Sequence, residues 1–495
     1  MKVVIVGTGF SGVGMAIQLK RAGFTEITIL EQAASIGGTW RDNTYPGCAC
    51  DIVSHLYSYS FYQNPKWTQN YSGWDEIQKY LEDCVDHFGL RSSIRFNAEV
   101  ESCEYNNDNS ASHNDDGCLW TVKVKGDAAA PIRCHFLISA SGVLTRASIP
   151  KFTQRDGGFR GPSFHTAQWD HSVSLEGKHV AVVGTGASAI QVIPEVVKVA
   201  SRVSVFQRTP PWVIRKRDGE VPSWQKHLYT YCPPALWLRR LSWYLDAELS
   251  TYLISAKPNI FRMAEKSAKE HMEKGVQDAE RRVQLTPTFH IGCKRILLSN
   301  TYYPAMAREH VDIIQDAIDG VTPRGIVTGG GGQKEHEVDV IIYATGFEIH
   351  DLRGTPAIIG RTGRDLRDEW TENGQHAFYG TFVHGFPNYA VLLGPNTGLG
   401  TNSIVYMIEC QINLVVRMLK EMQRAQRKQI EVKRDVEVAF NNRIQSASGD
   451  SVWKSGCRSW YLDGRGRNTT LWPFTTLRFW WETMRIGSDS FIFSA

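Results

Sequence analysis

Three short runs of Val and Ile, Val3–Val6, Val180–Val183 and Val338–Tyr343, each lead into a glycine-bearing turn. Runs this short and apolar on both faces of the pleat suit interior strands of a parallel sheet. Helical periods follow two of them, at Val13–Arg21 and Ser188–Lys198, and further strands are expected at Ile27–Leu30 and Val203–Phe206. Strand–turn–helix–strand order predicts α/β units. Val100–Tyr105 and Leu119–Val124 flank the polar tract Asn106–Gly117, predicting a hairpin with an exposed excursion. Phe136–Gly142 and Ile341–Gly346 are apolar strands ending in small residues and glycine. Such endings mark places where backbone passes close to a cofactor, and here they predict crossings between domains.

Two longer segments are amphipathic. In Ala235–Ser255, Trp237, Leu241, Tyr244, Leu245, Leu249 and Tyr252 recur at helical spacing, with Arg239, Arg240, Asp246 and Glu248 between them. A helical insertion packed on its own domain is favoured over a helix lying on a membrane or lining a substrate entrance. In Val405–Met422, Ile408, Ile412, Val415, Val416, Leu419 and Met422 share one face, and Thr401 or Ser403 is positioned to cap the start.

Composition narrows the classes. The 495 residues are 42% hydrophobic and 21% charged, enough for about three units with a substantial core. A net charge of +4 gives no reason to expect a nucleic-acid partner. No stretch approaches the roughly 18 apolar residues of an integral membrane segment. The first strand leaves no room for a secretory leader, so a cytoplasmic, reducing setting is expected, and the ten cysteines are not read as a disulfide framework. No pattern suggests a metal site.

The chemistry is concentrated in two glycine turns. Gly7-Thr8-Gly9-Phe10-Ser11-Gly12 follows the first strand and opens a helix, where free amides and the helix dipole favour a pyrophosphate. Glu31, nineteen residues beyond Gly12, ends the next strand, where a carboxylate accepts from ribose hydroxyls. Gly184-Thr185-Gly186-Ala187-Ser188-Ala189 repeats the arrangement, but the residue nineteen beyond Ala189 is Arg208. An acid suits a free 2′-hydroxyl and an arginine suits a 2′-phosphate. The first turn is therefore assigned to FAD and the second to NADPH. Cys48 and Cys50 have the wrong spacing for a flavin disulfide reductase and are read as packing residues.

Two longer motifs carry a family resemblance. Phe159-Arg160-Gly161-Pro162-Ser163-Phe164-His165-Thr166-Ala167-Gln168-Trp169-Asp170 satisfies FxGxxxHxxxW(P/D), and Gly37-Gly38-Thr39-Trp40, Tyr45-Pro46-Gly47 and Asp51 satisfy (A/G)GxWxxxx(F/Y)P(G/M)xxxD. The chain resembles class B flavoprotein monooxygenases of the Baeyer–Villiger type. Its segment Trp453–Pro473 is most similar to the 4-hydroxyacetophenone monooxygenase branch, without that enzyme's N-terminal extension.

The resemblance implies two interleaved Rossmann-like, three-layer dinucleotide-binding domains of α/β class. These are an FAD domain (1–147 and 384–495) and an NADP domain (148–214 and 293–383), with a helical insertion (215–292). It implies that NADPH reduces FAD, O₂ adds at C4a, and the peroxyflavin converts a ketone to an ester or lactone. Arg295 would hold the peroxide anion and Asp51 would position that arginine. Lys294 and Thr209 would join Arg208 at the 2′-phosphate, Trp460 would contact the nicotinamide nucleotide from a mobile loop, and Gly38, Thr39, Trp40 and Tyr45 would belong to the cofactor-binding set. The helix Val405–Met422 would point its N-terminus at the flavin. His165 and Trp169 are read as fixing a linker. The alternatives are an N- or S-oxygenating flavin monooxygenase and a flavin-bound sensor without catalysis.

Overall fold

The computed structural model describes residues 1–106, 117–126, 130–154, 157–256, 258–330, 334–449, 452 and 459–494. Most of the polar tract between Asn106 and Gly117 lies outside them, as do Cys457 and Arg458.

Two five-stranded parallel sheets dominate. The first runs in the order Tyr389–Val391, Phe136–Ser139, Val3–Val6, Ile27–Leu30, Ile94–Arg95. The second runs Val311–Ile314, Arg202–Phe206, His179–Val183, Val340–Tyr343, Ser163–His165. Interior strands such as Val3–Val6 and Val340–Tyr343 are almost wholly buried, which is why they read as uninterrupted apolar runs rather than alternating ones. Helices Phe10–Arg21 and Ala187–Val199 follow the central strand of each sheet. The hairpin expected at Val100–Tyr105 forms with Trp120–Val124.

The segments after Phe136–Ser139 and Val340–Tyr343 meet. Ala147 bridges Phe347 antiparallel, Ser148 N–H donates to Gly346 C=O at 2.8 Å, and Glu348 N–H donates to Arg146 C=O at 3.0 Å. The outward and return crossings thus form one short two-stranded ribbon. Ala357–Ile359 pairs with Val100–Tyr105, and Ile358, Leu366, Ala377 and Val383 share a core with Val4, Val100 and Trp120 of the first unit. Residues 357–383 pack with the first sheet because their apolar side chains cover its hairpin extension.

Helices Ser223–Tyr231, Pro233–Ala256, Pro258–Gly275 and Ala279–Leu285 form the insertion. Its two ends are pinned together, since Val213–Ile214 pairs with Leu297–Leu298. Helix Pro233–Ala256 does not pack only on its own domain. Glu248 accepts from Asn402 Nδ2 at 2.8 Å and Thr476 Oγ1 at 2.6 Å, and the Tyr244 ring meets Tyr406 at 5.1 Å. The stripe that looked like an internal core face is shared across the seam with the first unit. Among the described residues no helix is long and apolar enough to cross a membrane.

Gly184 adopts a φ of +117°, and a Cβ there would lie 2.3 Å from the Ala344 carbonyl oxygen. Backbone strain and clash act together. Gly184→Ala is expected to destabilise the protein by at least about 2 kcal/mol, measured by chemical denaturation.

Candidate active site

The two glycine turns are geometric twins. Gly7 and Gly184 have φ of +108° and +117°. The N-cap residues Gly9 and Gly186 have φ, ψ of −75°, −170° and −78°, −168°. Neither helix has a side-chain cap, so the first amides of both remain available to an outside acceptor. A Cβ on Gly9 or Gly186 would meet nothing within 4 Å, which leaves open space beside those amides. The remaining residues of the two motifs support this arrangement from behind. Phe10, Ser11 and Ala189 are buried in the helix–sheet packing. A Cβ on Gly12 would lie 1.9 Å from the Gly7 carbonyl oxygen, so that helix sits closer to its own turn. Ala187 and Ser188 open the second helix. Thr185 Oγ1 donates to Thr209 C=O at 3.0 Å, tying the second turn to the chain just past Arg208. This is a cradle that fits a pyrophosphate twice.

The charges beyond the turns differ as expected. Glu31 is buried. It accepts from Thr8 N–H at 3.1 Å, from Ala33 N–H at 2.9 Å and from Arg41 Nη1 at 2.9 Å. It therefore holds the first turn in place. Arg208 is exposed and makes no ion pair or hydrogen bond among the described residues, and Lys294 stands near enough that Arg208 adds to the effect of burial in lowering its ammonium pKa. Two neighbouring cations without an acidic partner leave a ready site for a dianion.

The segment Gly38–Asp51 joins the units. Gly38 sits against Gly9, with its ideal Cβ 3.3 Å from Gly9 Cα, and caps the short helix Thr39–Asp42. Trp40 Nε1 donates to Tyr57 Oη at 3.2 Å. Tyr45 Oη donates to Gln191 Oε1 at 2.7 Å, and Gln191 Nε2 donates to Ala49 C=O at 2.9 Å, so Tyr45 fastens this segment to the second nucleotide helix.

Asp51 and Arg295 are brought together across 244 positions. Arg295 Nε and Nη2 both donate to Asp51 Oδ2, at 2.9 and 2.6 Å, and Nη1 donates to Leu399 C=O at 3.2 Å. The Asp51 carboxylate holds the Arg295 guanidinium above its ordinary pKa, against the opposing effect of burial. Tyr461, buried beside them, has its phenol pushed up to about 12 by desolvation, while Arg295 acts in the opposite sense. Ser403 supplies the cap of helix Ile404–Arg424, accepting from Val405 N–H at 3.3 Å and donating to Leu56 C=O at 2.9 Å.

The comparisons with known proteins follow this geometry. Residues 1–351 match the model of a family described as flavin-binding monooxygenase-like. The chain belongs to the flavin-binding monooxygenase-like family. It is 40% identical over 490 residues to a Baeyer-Villiger monooxygenase of Streptomyces coelicolor, covering 98% of this chain and 91% of that one. It is 42% identical to a Baeyer-Villiger monooxygenase of Pseudomonas aeruginosa, covering 97% and 88%. Among solved structures, a steroid monooxygenase bound to NADP is 27% identical, with a TM-score of 0.87 over 100% of this chain and 99% of that one. OTEMO in complex with FAD and NADP shares the fold at 24% identity and a TM-score of 0.86, over 100% of this chain and 99% of that one.

Within this flavin-binding monooxygenase-like chain, several sequence expectations change. His165 is buried, not exposed. Its Nδ1 accepts from Ala167 N–H at 3.0 Å and its ring faces Phe347, next to the crossing ribbon. Trp169 packs edge-on against Phe164, 5.0 Å between centroids. Cys48 and Cys50 are separate buried thiols, and burial pushes Cys48 up to about 12. Cys293, two positions before Arg295, is disulfide-bonded, against the expectation that no cysteine would be. Trp460 is partly exposed, with its carbonyl accepting from His350 Nε2 at 2.9 Å. Arg41, Gln191 and Tyr461 were not singled out. The first and last are direct neighbours of Trp40 and Trp460, so position was the available signal. Gln191 had no signal, since its role depends on a contact across 146 residues.

Gly186→Ala is expected to leave the melting temperature within about 2 °C of the parent, yet weaken NADPH binding at least about tenfold by filling the open space beside the amides. Isothermal titration and thermal scanning check both. Arg208→Ala is expected to raise KM for NADPH by about tenfold or more with little change for NADH, read from steady-state kinetics with each cofactor.

Proposed function

We propose that this chain catalyses the reaction of a ketone with O₂, NADPH and a proton to give an ester or lactone, NADP⁺ and water. The relatives named Baeyer-Villiger monooxygenase at 40% and 42% identity over nearly the whole chain support that reading. FAD when bound supplies the redox chemistry: it takes a hydride from NADPH and activates O₂ for insertion beside the carbonyl. In this reading FAD lies on the Gly7–Gly12 turn with Glu31, and NADPH on the Gly184–Ala189 turn with Arg208, Thr209 and Lys294. The units are 1–147 with 348–495, 148–214 with 293–347, and 215–292, divided at the crossing ribbon and at the pinned base of the insertion. The enzyme acts on a small ketone in the cytoplasm.

One observation carries the chemical assignment: the Arg295 guanidinium, clamped by Asp51 and the Leu399 carbonyl. Oxygen insertion into a C–C bond needs a nucleophilic, negatively charged oxygen, and a fixed cation stabilises such charge best when its orientation is set beforehand. Arginine stays charged at any working pH. Both contacts to Asp51 fall on a single carboxylate oxygen, so the clamp fixes the guanidinium plane without enclosing all its N–H groups. In this reading Trp460, next to Tyr461, covers the nicotinamide side and excludes water.

Arg295→Ala is expected to keep hydride transfer from NADPH within a few-fold of the parent while ester formation falls by at least about a thousandfold. Stopped-flow absorbance reports the first step and mass analysis of products from a ketone panel reports the second. Ester at a near-parental rate from this variant contradicts the assignment.

A further inference from the structure

A second cavity lies away from Arg295 and Asp51, in the seam where helix Pro233–Ala256 meets helices Ile404–Arg424 and Thr476–Arg485. It measures about 200 Å³ and its lining contains neither of those residues nor any member of the glycine turns. A dry apolar cavity of about 150 Å³ admits benzene, so this one takes a benzene ring and a few further carbons. Its mouth is made by Trp237 and Trp480, which are 55% and 37% exposed, and Tyr244, Tyr406 and Leu241 form its walls.

Beside the aromatic residues and the polar Ser60, Asn402, Ser403 and Asn413, two charged side chains line this space, and both are more than nine-tenths buried: Arg240 is 9% and Glu409 8% exposed. Arg240 Nη1 donates to the His55 carbonyl and to Ser58 Oγ, leaving Nε and Nη2 without acceptors. Glu409 Oε1 accepts from Ser60 N–H at 2.8 Å and Ser60 Oγ at 2.9 Å, leaving Oε2 without a donor. The two form no ion pair with each other, although each influences the other's charge. Arg240 Nε and Nη2 and Glu409 Oε2 are not fully buried, so each keeps its hydrogen-bonding capacity for water or for an occupant of the cavity. What answers both must accept from a guanidinium and donate to a carboxylate. A bound anion would lie beside Glu409 and a bound cation beside Arg240, so the occupant that suits the pair is neutral.

We infer that this cavity is a binding site for a neutral alcohol or phenol with an aromatic or alicyclic body. Its hydroxyl is at once the acceptor and the donor that the pair lacks, and its ring stacks among Trp237, Tyr244, Tyr406 and Trp480. The site joins the insertion to the helix capped by Ser403, so an occupant bridges the two.

The test is isothermal titration of the FAD-loaded protein with 4-propylphenol, beside 4-propylanisole, 4-propylbenzoate and 4-propylbenzylamine. The phenol is expected to bind at one site per chain, with each of the other three at least tenfold weaker. Leu241→Trp, which fills the cavity, is expected to weaken the phenol at least tenfold while ketone turnover stays at the parental rate. Equal affinities across the four compounds overturn the inference without any substitution being needed. So does inhibition of ketone turnover by the phenol that is competitive with ketone, or parental phenol affinity in Leu241→Trp.

Discussion

The arrangement rests on a shortage of space at two equivalent points. Where the central strand of each sheet ends, its glycine lies against the carbonyl of the residue just past the neighbouring strand: Gly7 against Ala140 and Gly184 against Ala344. Those neighbouring strands lead directly into the ribbon that connects the units. A side chain at either glycine would push apart the cofactor cradle and the crossing together. The small residues in Phe136–Gly142 and Ile341–Gly346 are therefore the other half of the glycine turns, and the two features that looked separate in the sequence are one contact made twice.

Charge is organised by the same logic of shared positions. Glu31 braces the first turn through Thr8 and Arg41. Asp51 ends the segment whose Tyr45 and Ala49 are bound by Gln191 of the second nucleotide helix. Arg295 closes the circuit from the far end of the insertion. Arg208 and Lys294 stand side by side with no acidic partner among the described residues, the pattern of a site whose counter-charge arrives with its ligand.

Much of this was legible in the chain because it depends on local order. Strand, glycine turn, helix and an acid or base nineteen residues on are all written within short windows, and Val3–Val6, Ile27–Leu30 and Val100–Tyr105 appear where they were expected. The site residues Asp51 and Arg295 were legible only through motifs, since nothing local says they meet. Three things were not legible. The sheet that Ala357–Ile359 joins is one, because it looks like any short apolar strand and only its partner Val100–Tyr105 tells where it belongs. His165 was taken for a loop residue because burial is a property of the packed crossing. The stripe on Pro233–Ala256 gave the helix but not the neighbour it faces.

The Asp51–Arg295 contact joins positions 244 residues apart, and each partner sits on a segment anchored in a different unit. Contacts of such long sequence separation are costly in chain entropy until the intervening structure has formed. The ion pair therefore exists only while the segments that carry it stay docked. Activity in this molecule reports on how the units are seated against each other as well as on whether each has folded.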